Sequence, residues 1–223
     1  MKQEEILIKL EKSADKIVFM HTKIKTIMYK SLLGGFYLKT ESQYFDEAIS
    51  IQKYMNQMST LREESLTVYL NFKMPLDGLI EQIADFGLKF LVITEDWCGD
   101  AMMITPIIRN IAEAAHIDTR VVLRDEDTSL IDRYLTNGGR AIPIVVILSE
   151  DGQILGKWGP RAPEVQQIVD ELHAKLPDKN DPDYEKARAT AIGSLRTRYA
   201  VDDTLWMFVY QSLKRTVQGL LRQ

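Results

Sequence analysis

Apolar residues at Ile6, Leu10, Ala14, Ile17, Ile24 and Met28 recur at steps of three, four and seven, so residues 3–28 read as one helical face. Gly34-Gly35 interrupts that run. A second helical pattern over 42–62 turns Phe45, Ile49, Tyr54, Met58 and Leu61 inward. The stretch 65–73 is ambiguous, because Leu66, Val68, Leu70 and Phe72 alternate with their neighbours as a strand would. The flanking segments are helical and no turn residues precede it, so the expectation here is a helix.

The pattern changes at Leu88. Residues 88–94 form a short, mostly apolar run of the kind found in a strand buried on both faces. A helix is predicted over 99–115, with Met102, Met103, Ile107, Ile108 and Ile111 apolar. A strand follows over 119–123, then a helix over 127–135 closed by Asn137-Gly138-Gly139. Residues 142–148 and 153–158 read as strands joined by an Asp151-Gly152 turn. Residues 163–176 read as an amphipathic helix with proline in its first turn. The order predicts an α/β fold with a mixed sheet, parallel through the two helical crossovers and antiparallel across the hairpin. Beyond a polar, proline-containing linker at 176–183 lie helices at 183–199 and 203–221. In the second of these, Leu205, Phe208 or Val209, Leu213, Val217 and Leu220 form a stripe. The predicted organisation is an N-terminal helical extension (1–64), a central α/β domain (65–176) and a C-terminal helical extension (177–223).

Composition narrows the function classes. Hydrophobic residues make up 45% and charged residues 27% of 223, an ordinary globular balance that argues against disorder. A formal charge of −4 offers no basic surplus for nucleic acid. No apolar stretch approaches the length needed to span a bilayer, and the acid-rich N-terminus lacks the apolar segment of a signal peptide. Cys98 is the single cysteine, which excludes an intrachain disulfide and any zinc site of two or more thiolates. A reducing, cytoplasmic setting is the expectation.

The chemistry concentrates around Glu95-Asp-Trp-Cys-Gly-Asp100, where Cys98 lies just past a buried strand and opens a helix. Unpaired N–H groups and the positive end of the helix dipole favour a thiolate there, so an accessible, reactive thiol is expected. The competing reading is a small buried hydrophobe. Asp100 would raise the thiol pKa unless a cation offsets it, and Arg124, Arg140 and Arg161 are the candidates. Arg124-Asp-Glu-Asp127 follows a strand and therefore lies at the same sheet end as Cys98, although Asp127 also suits a helix cap. Trp158-Gly-Pro-Arg161 either sets a turn or aims Arg161 at the site. His21, His116 and His173 are dispersed along helical patterns and suit solvated residues better than metal ligands. Neither a metal nor a cofactor is expected.

Trp97-Cys98-Gly99 resembles the opening of the W-C-G-P-C motif of the thioredoxin superfamily. Pro106 falls where that family kinks its active-site helix, Ile142-Pro143 is similar to its cis-proline element, and Gly152 with Gly156 suits its terminal hairpin. The likeness covers about residues 65–176. The run through W-C-G-D-A also resembles a bacterial branch with a single cysteine. Two departures are coupled. Ala101 stands where the resolving cysteine would be, and Val92 where a buried aspartate would help to deprotonate it.

The resemblance implies a thioredoxin-like sheet and a catalytic Cys98 flanked by Trp97 and Asp100. Ile142, Pro143, Gly99, Arg124, Asp125, Arg140 and Arg161 are the candidates for contacting a substrate. With one thiol, Cys98 could attack a protein disulfide, but an external thiol must resolve the product. Partners would be protein thiol or disulfide clients or a small thiol. The alternative is a non-catalytic binding module whose added helices dock a partner or a second copy. Iron–sulfur chemistry of the monothiol glutaredoxin kind is distant, since C-G-F-S is absent.

Overall fold

In the computed structural model, which describes residues 38–222, two apolar runs make the centre of a five-stranded sheet. These are β2 (Lys89–Thr94) and β4 (Ile144–Leu148). They pair antiparallel, with Val92 opposite Val145. The other strands are β1 (Ile49–Ser50), β3 (Asp118–Leu123) and β5 (Ile154–Trp158), and the spatial order is β1-β3-β2-β4-β5. Both central strands are covered on both faces, which is why neither shows polar alternation. Phe90, Val92, Val145 and Ile147 face one core, while Leu91, Ile93, Ile144 and Val146 face the other. From Thr40 onward the chain forms one compact unit. The helix expected over 3–28 lies outside the described residues.

The predicted helix over 42–62 is instead two short helices around an edge strand. α1 (Glu41–Glu47) ends at Ala48, whose ψ of 157° is extended. β1 then pairs antiparallel with β3. Ser50 caps α2 (Ile51–Gln57) by accepting from the N–H of Lys53, so a capping signal inside the periodic run divides it. The ambiguous stretch is helical, within α3 (Arg62–Asn71). Its alternation does not describe a face: Val68 is buried but Leu70 is 71% exposed. A short α4 (Leu79–Ala84), which the periodicity did not indicate, precedes β2.

α5 (Gly99–Ala114) carries the chain from β2 to a parallel β3, as expected. The second connection differs. The helix expected over 127–135 is a single turn, α6 (Thr128–Ile131), too short to return the chain to the far end of the sheet. β4 therefore starts beside the C-terminal end of β2 and runs antiparallel to it, not parallel to β3. The β4–β5 hairpin is antiparallel, with Gly152 at φ 83°.

α7 (Pro163–Ala174), α8 (Tyr184–Val201) and α9 (Asp203–Leu220) complete the fold. α9 buries Leu205, Trp206, Val209, Tyr210, Leu213 and Val217, so Val209 takes the stripe position and Phe208 is only partly buried. Leu220 fills the space that Gly156 leaves open on β5. No helix among the described residues is long and apolar enough to cross a membrane.

Candidate functional site

Cys98 is the N-cap residue of α5, one short turn beyond β2. Its N–H donates to Glu95 O (3.3 Å), and its carbonyl accepts from Met102 N (3.0 Å). Asp96 anchors the turn from below. Its carboxylate accepts from the N–H and hydroxyl groups of Ser59 (2.7 and 2.8 Å) and Thr60 (3.2 and 3.1 Å), which tie the α2–α3 loop to the site. Burial alone would raise the Asp96 pKa, but these four bonds hold it below the usual carboxylate range.

The thiol faces the segment that leads into β4. Sγ donates to the carbonyl of Ile142 at 3.5 Å, and the Ile142–Pro143 peptide is cis. Gly159, at φ 114°, backs this segment so closely that a β-carbon would run into the Pro143 carbonyl. Gly159–Pro160 is a second cis peptide. Cys98 is only 8% exposed. Burial pushes its pKa up and Asp100 adds to the effect, while the N–H groups of Ala101 and Asp100, together with Arg161, work in the opposite sense. The expectation of an accessible thiol with a lowered pKa is corrected accordingly. The helix start acts in the anticipated direction, but loss of solvent outweighs it.

Of the three candidate cations, Arg161 reaches Asp100. Its Nε and Nη2 lie 2.7 and 2.6 Å from the two carboxylate oxygens. Gln166 Oε1 accepts from its Nη1 (2.8 Å). Arg124 lies over the ring of Trp97 (4.8 Å to the centroid), pairs with Asp125 (2.7 Å) and donates to the carbonyl of Arg140 (3.2 Å). The guanidinium of Arg140 turns away to Asp132 (2.6 and 2.9 Å). Asp125 donates its backbone N–H to Glu95 (2.7 Å), whose carboxyl is nevertheless raised by burial. Asp127 caps α6, accepting from Ser129 N (2.9 Å). Trp97, at 43% exposure, is the large apolar surface beside the thiol. His116 and His173 are exposed, and no group of three potential metal ligands occurs among the described residues.

Three contributors escaped the sequence reading. The hydroxyl of Tyr199, on α8, donates to Asp100 Oδ1 (2.9 Å). Arg196, one turn earlier on α8, lies against Gly99, so that a β-carbon there would be 3.3 Å from its Cγ. Tyr54 is fully buried behind the turn, facing Thr94 and Cys98, and burial holds its hydroxyl above the usual pKa. All three come from elements remote in sequence, and only helical periodicity marks their positions.

The family model for thioredoxin matches residues 48–173, more than half of the chain. The chain belongs to the thioredoxin family. A comparison with curated proteins finds no match. Among solved structures, an HIV epitope-scaffold is similar over 81% of this chain and 99% of its own, with 15% identity and a TM-score of 0.56. A protein of unknown function from Pseudomonas aeruginosa is similar over 78% of this chain and 98% of its own, with 15% identity and a TM-score of 0.51. At that identity both similarities concern the fold. The thioredoxin match takes in the whole sheet, Cys98, Asp100, the Ile142-Pro143 segment and Arg161. It ends before α8, and therefore before Tyr199 and Arg196.

Proposed function

We propose that this thioredoxin-family protein is a monothiol thiol–disulfide exchange protein with Cys98 as its nucleophile. The observation that carries the reading is the seat of the thiol, at the first turn of α5 and 3.5 Å from the Ile142 carbonyl. An extended client segment laid along Ile142-Pro143 would bring its disulfide to Sγ, with backbone bonds from Ile142 and apolar contact with Trp97. Gly99 at the helix start lies under the flexible side chain of Arg196, which would have to shift to admit the client. Arg124, Asp125 and Arg140 line the same sheet end as a polar rim.

In the first step the Cys98 thiolate attacks one sulfur of the client disulfide. A new S–S bond joins Cys98 to the client, and the other client sulfur leaves as a thiolate. Ala101 supplies no second thiol, so a low-molecular-weight thiol must attack next. It releases the client as a thiol and leaves Cys98 in a disulfide with the small thiol. A second small thiol frees Cys98, and the pair departs as a small disulfide carrying off the two electrons' worth of oxidation. Such a cycle belongs in a reducing compartment, the cytoplasm.

The burial and raised pKa of Cys98 favour a second reading, a binding module that keeps the groove without turnover. Insulin reduction by wild type and Cys98→Ser, with and without glutathione, separates the two. The exchange reading expects a glutathione-dependent rate lost in Cys98→Ser, together with a trappable mixed disulfide. Identical behaviour of the two proteins with no trapped species would leave the binding module.

A further inference from the structure

We propose that Tyr199, which lies beyond the family-matched residues, is a positioning residue of the Cys98 site. Its hydroxyl and the Arg161 guanidinium clasp Asp100 and so decide how much of that carboxylate's charge the thiol experiences. The inference rests on Cys98 being the working thiol, as proposed above.

The geometry is specific. Asp100 Oδ1 accepts from both Tyr199 Oη (2.9 Å) and Arg161 Nε (2.7 Å), while Oδ2 accepts from Arg161 Nη2 (2.6 Å). Tyr199 is 2% exposed, and its backbone carbonyl accepts from Trp206 Nε1 (2.8 Å), which fixes the corner between α8 and α9. Tyr199 and Ala200 are the buried residues of α8, whose earlier turns are largely exposed. The helix is thus held to the domain at the end that reaches the site. The bond to Asp100 satisfies the buried phenol and holds it toward the first turn of α5.

The electrostatics follow from position. Cys98 faces Asp100 on its own helix, Arg161 from the loop before α7, and Tyr54 from α2. Arg196 of α8 lies over the adjacent Gly99. Asp100 opposes the thiolate, whereas Arg161 and the helix-start N–H groups favour it. A donor on Asp100 draws its charge away from the sulfur. Removing that donor exposes the thiol to more of it.

Iodoacetamide alkylation of Cys98, the chain's single cysteine, reads this directly as a rate against pH. Wild type, Tyr199→Phe, Asp100→Asn and the double variant are compared. Tyr199→Phe is expected to slow alkylation about threefold near pH 7.5, by moving the profile to higher pH with an unchanged plateau. In the Asp100→Asn background the same change should have no effect. Arg161→Lys keeps the charge but loses the two-pronged grip. It should also slow the reaction, and only when Asp100 is present.

An unchanged Tyr199→Phe profile overturns the proposal. So does a plateau raised equally in both backgrounds, which would make α8 a mere cover. Alkylation needs no disulfide client, so the outcome is independent of whether insulin is reduced.

Discussion

Arg161 meets Asp100 edge to edge, with Nε and Nη2 at 2.7 and 2.6 Å from the two carboxylate oxygens, across 61 residues of sequence. The paired geometry is the strong form of an ion pair, and it lies beside the chain's single thiol. An acid two residues from the cysteine opposes its ionisation when only the local sequence is considered. With the guanidinium locked onto it, the thiol senses a dipole rather than a bare negative charge. The remaining obstacle to ionisation is burial, and it is the larger one.

That obstacle has a thermodynamic signature. The folded-state pKa of Cys98 is raised, so the native protein keeps this proton to higher pH than the unfolded chain does. The associated stability is fully present below the unfolded value of about 8.5 and is lost as pH rises through the folded value. Urea unfolding of wild type should therefore weaken more steeply between about pH 8 and 10 than that of Cys98→Ala, the tyrosines being common to both. Parallel pH dependences would show that the thiol is not held protonated.

Two glycines at the site should respond to alanine with losses of very different size. Gly159 has a φ of 114°, and a β-carbon there collides with the Pro143 carbonyl, backbone that cannot swing aside. Gly159→Ala should cost about 3 kcal/mol or more, read as a drop in the urea midpoint. At Gly99 a β-carbon meets the flexible side chain of Arg196 at 3.3 Å. Gly99→Ala should change stability by less than about 1 kcal/mol, because the arginine can shift. A comparable loss at both positions would remove the distinction between backbone and side-chain obstacles.

Ala101 is buried on α5, three residues after Cys98 and on the same side of the helix. Ala101→Cys should restore intramolecular release of the client, because a thiol held at that range acts at a very high effective concentration. Val92 stands where the resemblance places the family's buried aspartate and offers no carboxylate to deprotonate the new thiol, so release should remain slower than attack. The readout is the glutathione dependence of insulin reduction, steep for wild type and nearly flat for Ala101→Cys. An equally steep dependence in both would mean that the two sulfurs cannot reach one another.

Local pattern was enough for the elements whose character depends on near neighbours. β2 and β4 are apolar on successive residues because both of their faces are covered, and that leaves a mark readable without any partner in view. The helix that opens at Cys98, the Asp151-Gly152 turn and the two C-terminal helices were legible for the same reason. The single helix drawn over 42–62 failed because a cap at Ser50 and pairing of β1 with β3 outweighed its periodicity. The direction of β4 was not legible either, since it depends on where a one-turn α6 delivers the chain.

At the site, the sequence alone determined that a single thiol opens a helix, that no second cysteine accompanies it and that an acid follows two residues later. Only the tertiary structure decided that the cation on that acid is Arg161, that Arg140 turns instead to Asp132, and that Tyr199 and the Ser59–Thr60 loop join in. It also reversed the direction of the thiol's pKa. Helix-start N–H groups are a local feature and can be read from the chain. The exclusion of water from Cys98 is the joint work of segments many residues apart, and no local pattern records it.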